Sequence, residues 1–431
     1  MTAMHIVAMA QSLMNAQVSL YGFGVLTPAG SLLARLLLLV AIVGLIASTV
    51  FTMLVIAGTF RFRNQKTDEG AEEFLPPLSL LKPLHGEEPG LEAHLDSFFR
   101  QDYPNYEILF CARSANDPGM KIARRVAARH PHIPARFLST GEPQYINAKV
   151  ASLELMGAAA EHDLLVISDS DVHVEPGYLR TIAAPFRNER VGALTCVYRG
   201  EAHRGLWAHL EAAGMSIEMT AGVVVANMLE GMQFLLGPTM AMRRQCVEQI
   251  GGFGVLGSYC ADDFMLGKLI AENGHTVVLS QHVIDHVIVS DGFVETQKHQ
   301  IRWMRSTRFS RPKGHFGTGL TFSVPFGILA FVAAGALQYP RLAFFLLGYS
   351  IAARMLLALV VGAFAVRERI LMRTVLLYPL RDLLGFLYWA ASYRSDLILW
   401  RGREFRLHKD GLMVDAAAGY QEDETALSAG I

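Results

Sequence analysis

The stretch LLARLLLLVAIVGLIASTVFTMLVIAGTF, residues 32–60, contains a single charged side chain, Arg35. About 20 apolar residues in a helix cross the roughly 30 Å hydrocarbon core of a bilayer, so this stretch is long enough to span it. A chain with such a segment must arrange everything else around a membrane. The run is too long for a signal-peptide core, sits well inside the chain and has no basic region immediately before it, so it reads as a retained transmembrane helix. Residues 1–31 are mildly apolar and stay unassigned.

A second apolar block fills the C-terminal third. GLTFSVPFGILAFVAAGALQ and LAFFLLGYSIAARMLLALVVGAFAV are separated only by Tyr339, Pro340 and Arg341, and a transmembrane hairpin is expected over 319–366. The segment VLLYPLRDLLGFLYWAASY, 375–393, carries Pro379, Arg381 and Asp382 in its middle. Charges inside a membrane are costly, so this segment is expected to be interfacial or re-entrant rather than spanning. Arg61, Arg63 and Lys66 follow the first apolar run, and Arg367, Arg369 and Arg373 follow the hairpin. The positive-inside rule puts both flanks in the cytoplasm, along with a tail over 394–431. The end of that tail, AAAGYQEDETALSAGI, reads as solvated and disordered.

The polar region 61–313 must then hold the chemistry. With 38 Lys+Arg against 39 Asp+Glu there is no overall basic field, which argues against a nucleic-acid partner. Cys111, Cys196, Cys246 and Cys260 show no metal-ligand spacing and read as small buried hydrophobes, reduced in a cytoplasm-facing domain. Strand-like LSLLKPL, YEILFCA, ARFLS and DLLVISD alternate with helix-like GLEAHLDSFFRQ, GMKIARRVAARH and AKVASLELMGAAA. That β-α-β alternation predicts an α/β fold with a parallel, doubly wound sheet, whose ligands sit outside the carboxyl ends of the strands.

Asp169 and Asp171 fall at such an end, where DLLVI leaves the sheet. Two like charges so close call for a positive partner, and carboxylate oxygens suit Mg²⁺ or Mn²⁺ carrying a nucleotide diphosphate. The acidic pattern and glycine of an EF-hand loop are missing. A strand-terminating turn explains the pair equally well on its own. Asp117 follows YEILFCA at the same edge, placed to accept hydrogen bonds from a nucleotide base or ribose. Asp262 and Asp263 open an amphipathic helix, where acidic residues also serve as dipole partners. Arg302, Arg305 and Arg308 recur at helical spacing in KHQIRWMRSTR, suited to a pyrophosphate or, for the last two, to lipid headgroups.

In this order LSLLKPLHG, FFRQDYPNYEILFCARSANDP, INAKVASL, ISDSDVHV, ADDF and HQIRW resemble the ceramide glucosyltransferase family. These are inverting, membrane-bound glycosyltransferases with the GT-A fold, and the family includes a bacterial branch associated with hopanoid biosynthesis. The likeness runs from about 78 to 303, and WRGREFRL is similar to a family ending. It implies Asp117 and Lys149 near the nucleotide, Asp169 and Asp171 at metal and diphosphate, and Asp263 as the base, with Asp262 raising its pKa. It also implies Arg302 and Trp303 as the R-W beside the diphosphate and acceptor channel. His299 stands where the motif has Gln or Arg, and its imidazole is expected to bond a phosphate. The expected donor is UDP-glucose and the acceptor ceramide, at a bacterial inner membrane with the catalytic domain cytoplasmic. The alternatives are a hopanoid glycosyltransferase using UDP-N-acetylglucosamine, a processive polysaccharide synthase, which would need more spans, and a catalytically silent scaffold, which would not need every aspartate.

Overall fold

The computed structural model describes residues 27–65, 73–202, 205–288, 292–400 and 402–416. Residues 1–26, Lys66 and nearly all of the terminal AAAGYQEDETALSAGI therefore lie outside the described residues. Helix α1 covers Pro28–Arg63; Thr27 caps it by accepting from the Gly30 amide, and Pro28 suits its first turn, where no amide proton is needed.

The polar region forms one eight-stranded sheet from β1 (Leu78–Pro83), β2 (Tyr106–Ala112), β3 (Ala135–Ser139), β4 (Leu164–Ser168), β5 (Val172–His173), β6 (Val191–Ala202), β7 (Thr239–Arg243) and β8 (Thr276–Ile288). Their spatial order is β3-β2-β1-β4-β7-β6-β8-β5. Strands β1 to β4 pair in parallel and are linked through α2 (Leu91–Phe99), α3 (Pro118–Ala127) and α4 (Ala148–Ala159). Here the predicted alternation holds. Beyond β4 it does not: β7 runs antiparallel to both β4 and β6, and β5 antiparallel to β8, so the sheet is mixed rather than wholly parallel. Between β6 and β7 the chain runs through a pair of helices rather than one crossover, and residue periodicity carries no information on strand direction.

Those helices follow α5 (Tyr178–Ala183), which precedes β6. They are α6 (Leu206–Ala213) and α7 (Thr220–Glu230), joined by a π-helical turn at Gly214–Met219. Next come α8 (Arg244–Gln249), α9 (Asp262–Glu272), α10 (Phe293–Ser310), α11 (Pro312–Thr318), α12 (Val324–Ala336), α13 (Pro340–Phe364) and α14 (Leu371–Ser392). The tail then forms a small antiparallel sheet of β9 (Leu397–Trp400), β10 (Arg403–Leu407) and β11 (Met413–Asp415), tied back by a Tyr259–Leu412 bridge.

Among the described residues, α1, α13 and the Leu206–Glu230 stretch are long and apolar enough to cross a membrane, though two-thirds of the last is already buried inside the protein. At 13 residues α12 reaches only about 20 Å, short of a bilayer core. The segment 375–393 is helical through Ser392, within α14. Its charges are accommodated because they are paired within the protein. Arg354 of α13 approaches Asp382 at 3.3 Å, both 2% exposed, and Asp382 Oδ2 accepts from the Ser323 and Val324 amides at 2.9 and 2.8 Å, capping α12. Arg354 also donates to the Thr321 carbonyl. Removing one member of a buried pair leaves the other charge uncompensated, a cost of about 3–5 kcal/mol. Asp382→Ala should therefore lower the thermal midpoint in detergent well below that of Asp382→Asn, which keeps an acceptor for the α12 amides; equal midpoints would dismiss the pair as a stability determinant.

Candidate active site

β4 is buried along its whole length and delivers Asp169, Ser170 and Asp171 at its carboxyl end. Asp169 Oδ1 lies 2.7 Å from Lys149 Nζ, presented from the first turn of α4, which Asn147 caps. Asp171 Oδ2 meets His286 Nε2 of β8 at 2.9 Å, whereas its Oδ1 is buried with no hydrogen-bond partner. Beneath them Lys82, fully buried at the end of β1, donates to the Asp169 carbonyl at 2.6 Å and sits 3.8 Å from the centre of the Phe98 ring. The positive partners demanded by two close carboxylates are thus side chains of the protein itself. Burial pulls the Lys82 ammonium down to about 7, against the attraction of Asp169 and Asp171. Burial also opposes the Lys149 charge, but Asp169, Asp262 and Asp263 outweigh it and hold that pKa above its ordinary value.

Asp263 arrives at the first turn of α9. Its Oδ1 accepts from the Phe264 amide and its Oδ2 from the Gly237 amide, both at 2.8 Å. A β-carbon on Gly237 would stand 3.2 Å from Asp263 Oδ2 and 3.5 Å from Asp169 Oδ2, so the two carboxylates flank one glycine and a side chain there would push Asp263 by a few tenths of an ångström. Burial and then Asp262 raise Asp263 to about 6, with Lys149 opposing. Asp262 is held by Asn147 Nδ2 at 3.2 Å and lies 3.9 Å from Lys149 Nζ.

A recess of about 240 Å³ opens over this cluster, lined by Glu88, Arg113, Thr140, Lys149, Asp169 and Asp171 among others. Asp117 is not on its wall. It caps α3 by accepting from Gly119 and takes the Gly86 amide on both oxygens, thereby fixing the loop after β1 that forms one side of the recess. On α10, Arg302 stacks 4.9 Å from the Trp400 ring, and burial lowers its pKa. His299 Nδ1 is 3.9 Å from Glu211 Oε1 and its ring 6.4 Å from that of Trp303. Arg305 and Arg308 donate to the Leu397 and Ser392 carbonyls, so they fasten the tail and α14. The structure therefore gathers Asp169, Asp171, Asp262, Asp263 and Lys149, and leaves His299, Arg302 and Trp303 off the recess wall, against the tail sheet and α6. Sequence reasoning missed Lys82, Glu88 and His286. Lys82 had one signal, a lone cation inside the apolar run LSLLKPL.

The donor set fits a hard divalent cation: oxygen ligands only from the aspartates, with Asp171 Oδ1 still without a partner. Glu107, Glu161 and His162 also bring ligand atoms within 4.8 Å, but at the opposite edge of the sheet. There Glu107 is already engaged by Ser79 Oγ, the Glu161 amide and Arg136.

Residues 36–413 match the model of glycosyl transferase family 21. The chain belongs to that family. Ceramide glucosyltransferase 1 of Caenorhabditis elegans is 29% identical over 209 residues, 48% of this chain and 45% of that protein. Ceramide glucosyltransferase of Komagataella phaffii is 35% identical over 149 residues, 33% and 29% of the two chains. The matched stretch spans less than half of either relative. Among solved structures, a Pyrobaculum calidifontis mannosyltransferase in complex with GDP-Man and Mn²⁺ aligns over 81% of this chain and 99% of its own, at 19% identity and a TM-score of 0.49. Family membership and the mixed α/β sheet agree with the GT-A fold that the motifs implied.

Lys82 is protonated more readily unfolded than folded, so its burial destabilises the fold below about pH 7 and this penalty fades as pH rises toward 10. Lys82→Met should raise the thermal midpoint at pH 6.5, by an amount that shrinks at pH 9. A midpoint that falls at both pH values would show the ammonium to be a net stabiliser.

Proposed function

We propose that this protein moves a hexose from a UDP-sugar, UDP-glucose in the first instance, to the hydroxyl of a membrane lipid such as ceramide, with inversion at the anomeric carbon. The observation that carries the reading is Asp263, half-buried and tuned to about 6, facing Asp169 across Gly237 in a chain of this family. A carboxylate with that pKa is ionised at neutral pH yet basic enough to take a proton as the acceptor oxygen attacks. The acceptor oxygen forms its bond to the anomeric carbon as the bond to the phosphate oxygen breaks, UDP departs with the electron pair, and Asp263 takes the hydroxyl proton. No covalent enzyme intermediate is needed.

Charge that develops on UDP is met by the Lys149 ammonium, which the surrounding carboxylates keep protonated. Asp169 and Asp171 are the residues that would hold Mg²⁺ or Mn²⁺, which when bound supplies Lewis-acid stabilisation of the diphosphate. Asp117 shapes the donor recess from behind, and Arg302 and Trp303 act from α10 on the acceptor side. The apolar helices α1 and α13 would anchor the chain, with Arg61 and Arg63 closing α1 on the cytoplasmic side and the catalytic sheet in the cytoplasm of a bacterial inner membrane. A polyhydroxylated hopanoid with UDP-N-acetylglucosamine is the alternative substrate pair.

Asp263→Asn should reduce transfer by about 10²–10⁴-fold while UDP binding in the presence of Mn²⁺ stays near wild type; equal loss of both would remove its role as base. In wild type kcat/KM should fall about tenfold per unit below pH 6, because the carboxylate must be ionised, and an acid limb that persists unchanged in an Asp262→Asn variant would assign the titration elsewhere. Asp171→Asn should weaken the Mn²⁺ dependence of UDP binding, measured by calorimetry, and an unaltered dependence would count against it as a ligand.

A further inference from the structure

Glu218–Arg381 is among the buried ion pairs that the proposed mechanism leaves unused. Glu218 lies in the π-helical turn Gly214–Met219, and its Oε2 is 2.9 Å from Arg381 Nη2 on α14. Small residues permit this approach: a β-carbon on Gly214 would stand 2.4 Å from Arg381 Nε, and one on Gly385 3.0 Å from Glu218 Oε2. Arg381 is 4% exposed, yet its Nε has no hydrogen-bond partner. A buried donor left without a partner is unfavourable and calls for an explanation. Turns of π type inside α-helices also concentrate at functional sites, because the extra residue turns side chains away from the regular ladder.

From this pair a short path leads to the catalytic carboxylates. The residue after Glu218, Met219, accepts at Sδ from the Tyr198 hydroxyl. The Tyr198 ring stands 5.6 Å from that of His286, which holds Asp171. Burial first, then the charges of Asp263, Asp169 and Asp171, raise the Tyr198 phenol above its ordinary value, so its hydroxyl stays a proton donor within electrostatic reach of the base. On the other side the pair belongs to a helix that follows α13 out of the apolar block. Leu376, Leu380 and Leu387 of α14 are 66%, 43% and 51% exposed, while Arg381, Gly385 and Tyr388 form its buried face against the turn. Of the pair only Glu218 keeps appreciable exposure, 20% of its side chain, so a lipid head at the edge of α14 has access to the pair through that carboxylate.

We propose that Glu218 and Arg381 bind the polar head of the lipid acceptor and that Tyr198 orients its reactive hydroxyl toward Asp263; the assignment rests on the glycosyl-transfer reading. A guanidinium beside a carboxylate offers donors and acceptors with cancelling charge. That suits a neutral head carrying hydroxyl or amide groups, whereas a phosphate head would meet Glu218 as a like charge. The pair is held by geometry on two rigid helical elements rather than on a loop, as positioning of one hydroxyl among several requires.

The test uses the full chain in lipid nanodiscs with UDP-glucose and ceramide, and measures the lipid KM, the donor KM, and thermal midpoints. Glu218→Gln should raise the lipid KM about tenfold or more with no comparable change in donor KM, and Tyr198→Phe should lower kcat for transfer at saturating lipid. An unchanged lipid KM in Glu218→Gln overturns the proposal. So does a parallel rise of both KM values with a lowered midpoint, because that is the signature of a purely structural pair. If wild type releases no UDP from UDP-glucose under any condition, the transfer reading itself fails, and the acceptor site falls with it.

Discussion

The contact between Lys149 Nζ and Asp169 Oδ1, with Lys82 beneath and His286 beside, is the constraint around which the catalytic half of the molecule is arranged. Four carboxylates, Asp169, Asp171, Asp262 and Asp263, converge where strand ends and helix starts meet. Like charges at such distances in a water-poor setting would drive the elements apart or force protonation. Cations from β1 and α4 are distributed among them: Lys149 pairs directly with Asp169, while burial and the neighbouring Asp262 raise Asp263 to about 6 against the pull of Lys149. Division of labour between aspartates of one type thus follows from which cation each one meets.

The same economy governs the membrane-proximal part. Arg354, Arg381, Asp382 and Glu218 would be prohibitive on a lipid face, yet each is turned inward onto an opposite charge. One pair fixes the start of α12 and the other clasps α14 to the turn between α6 and α7. The catalytic sheet and the apolar helices are therefore joined by buried electrostatics at defined points. Arg305 and Arg308 extend this seam by fastening α10 to the tail.

Much of the catalytic half was legible in the sequence because the relevant signals are local. A buried strand that ends in Asp-Ser-Asp, an acidic pair opening an amphipathic helix, and strict β-α-β alternation up to β4 each declare themselves within a dozen residues. What escaped was non-local. Lys82 meets the Asp169 carbonyl from 87 positions away and His286 the Asp171 carboxylate from 115, which no spacing pattern reveals. The reversal of β7 was hidden because strand direction leaves no trace in periodicity. The charges of α14 argued for an interfacial or re-entrant segment only because their partners, on α13 and in the π-helical turn, are distant in sequence. Asp117 shows the converse: a residue correctly placed at the sheet edge whose carboxylate is engaged with the amides of Gly86 and Gly119.

The central claim is transfer of one sugar from a nucleotide to one lipid, and it is tested most directly by product mass. Membranes containing the protein would be given UDP-glucose or UDP-N-acetylglucosamine with either ceramide or a polyhydroxylated hopanoid, and the lipids analysed by mass spectrometry. The account predicts a single added sugar on one lipid, with UDP released in equal amount and both lost in Asp263→Asn. A ladder of added sugars, or unmodified lipid with UDP-sugar consumed, would contradict it.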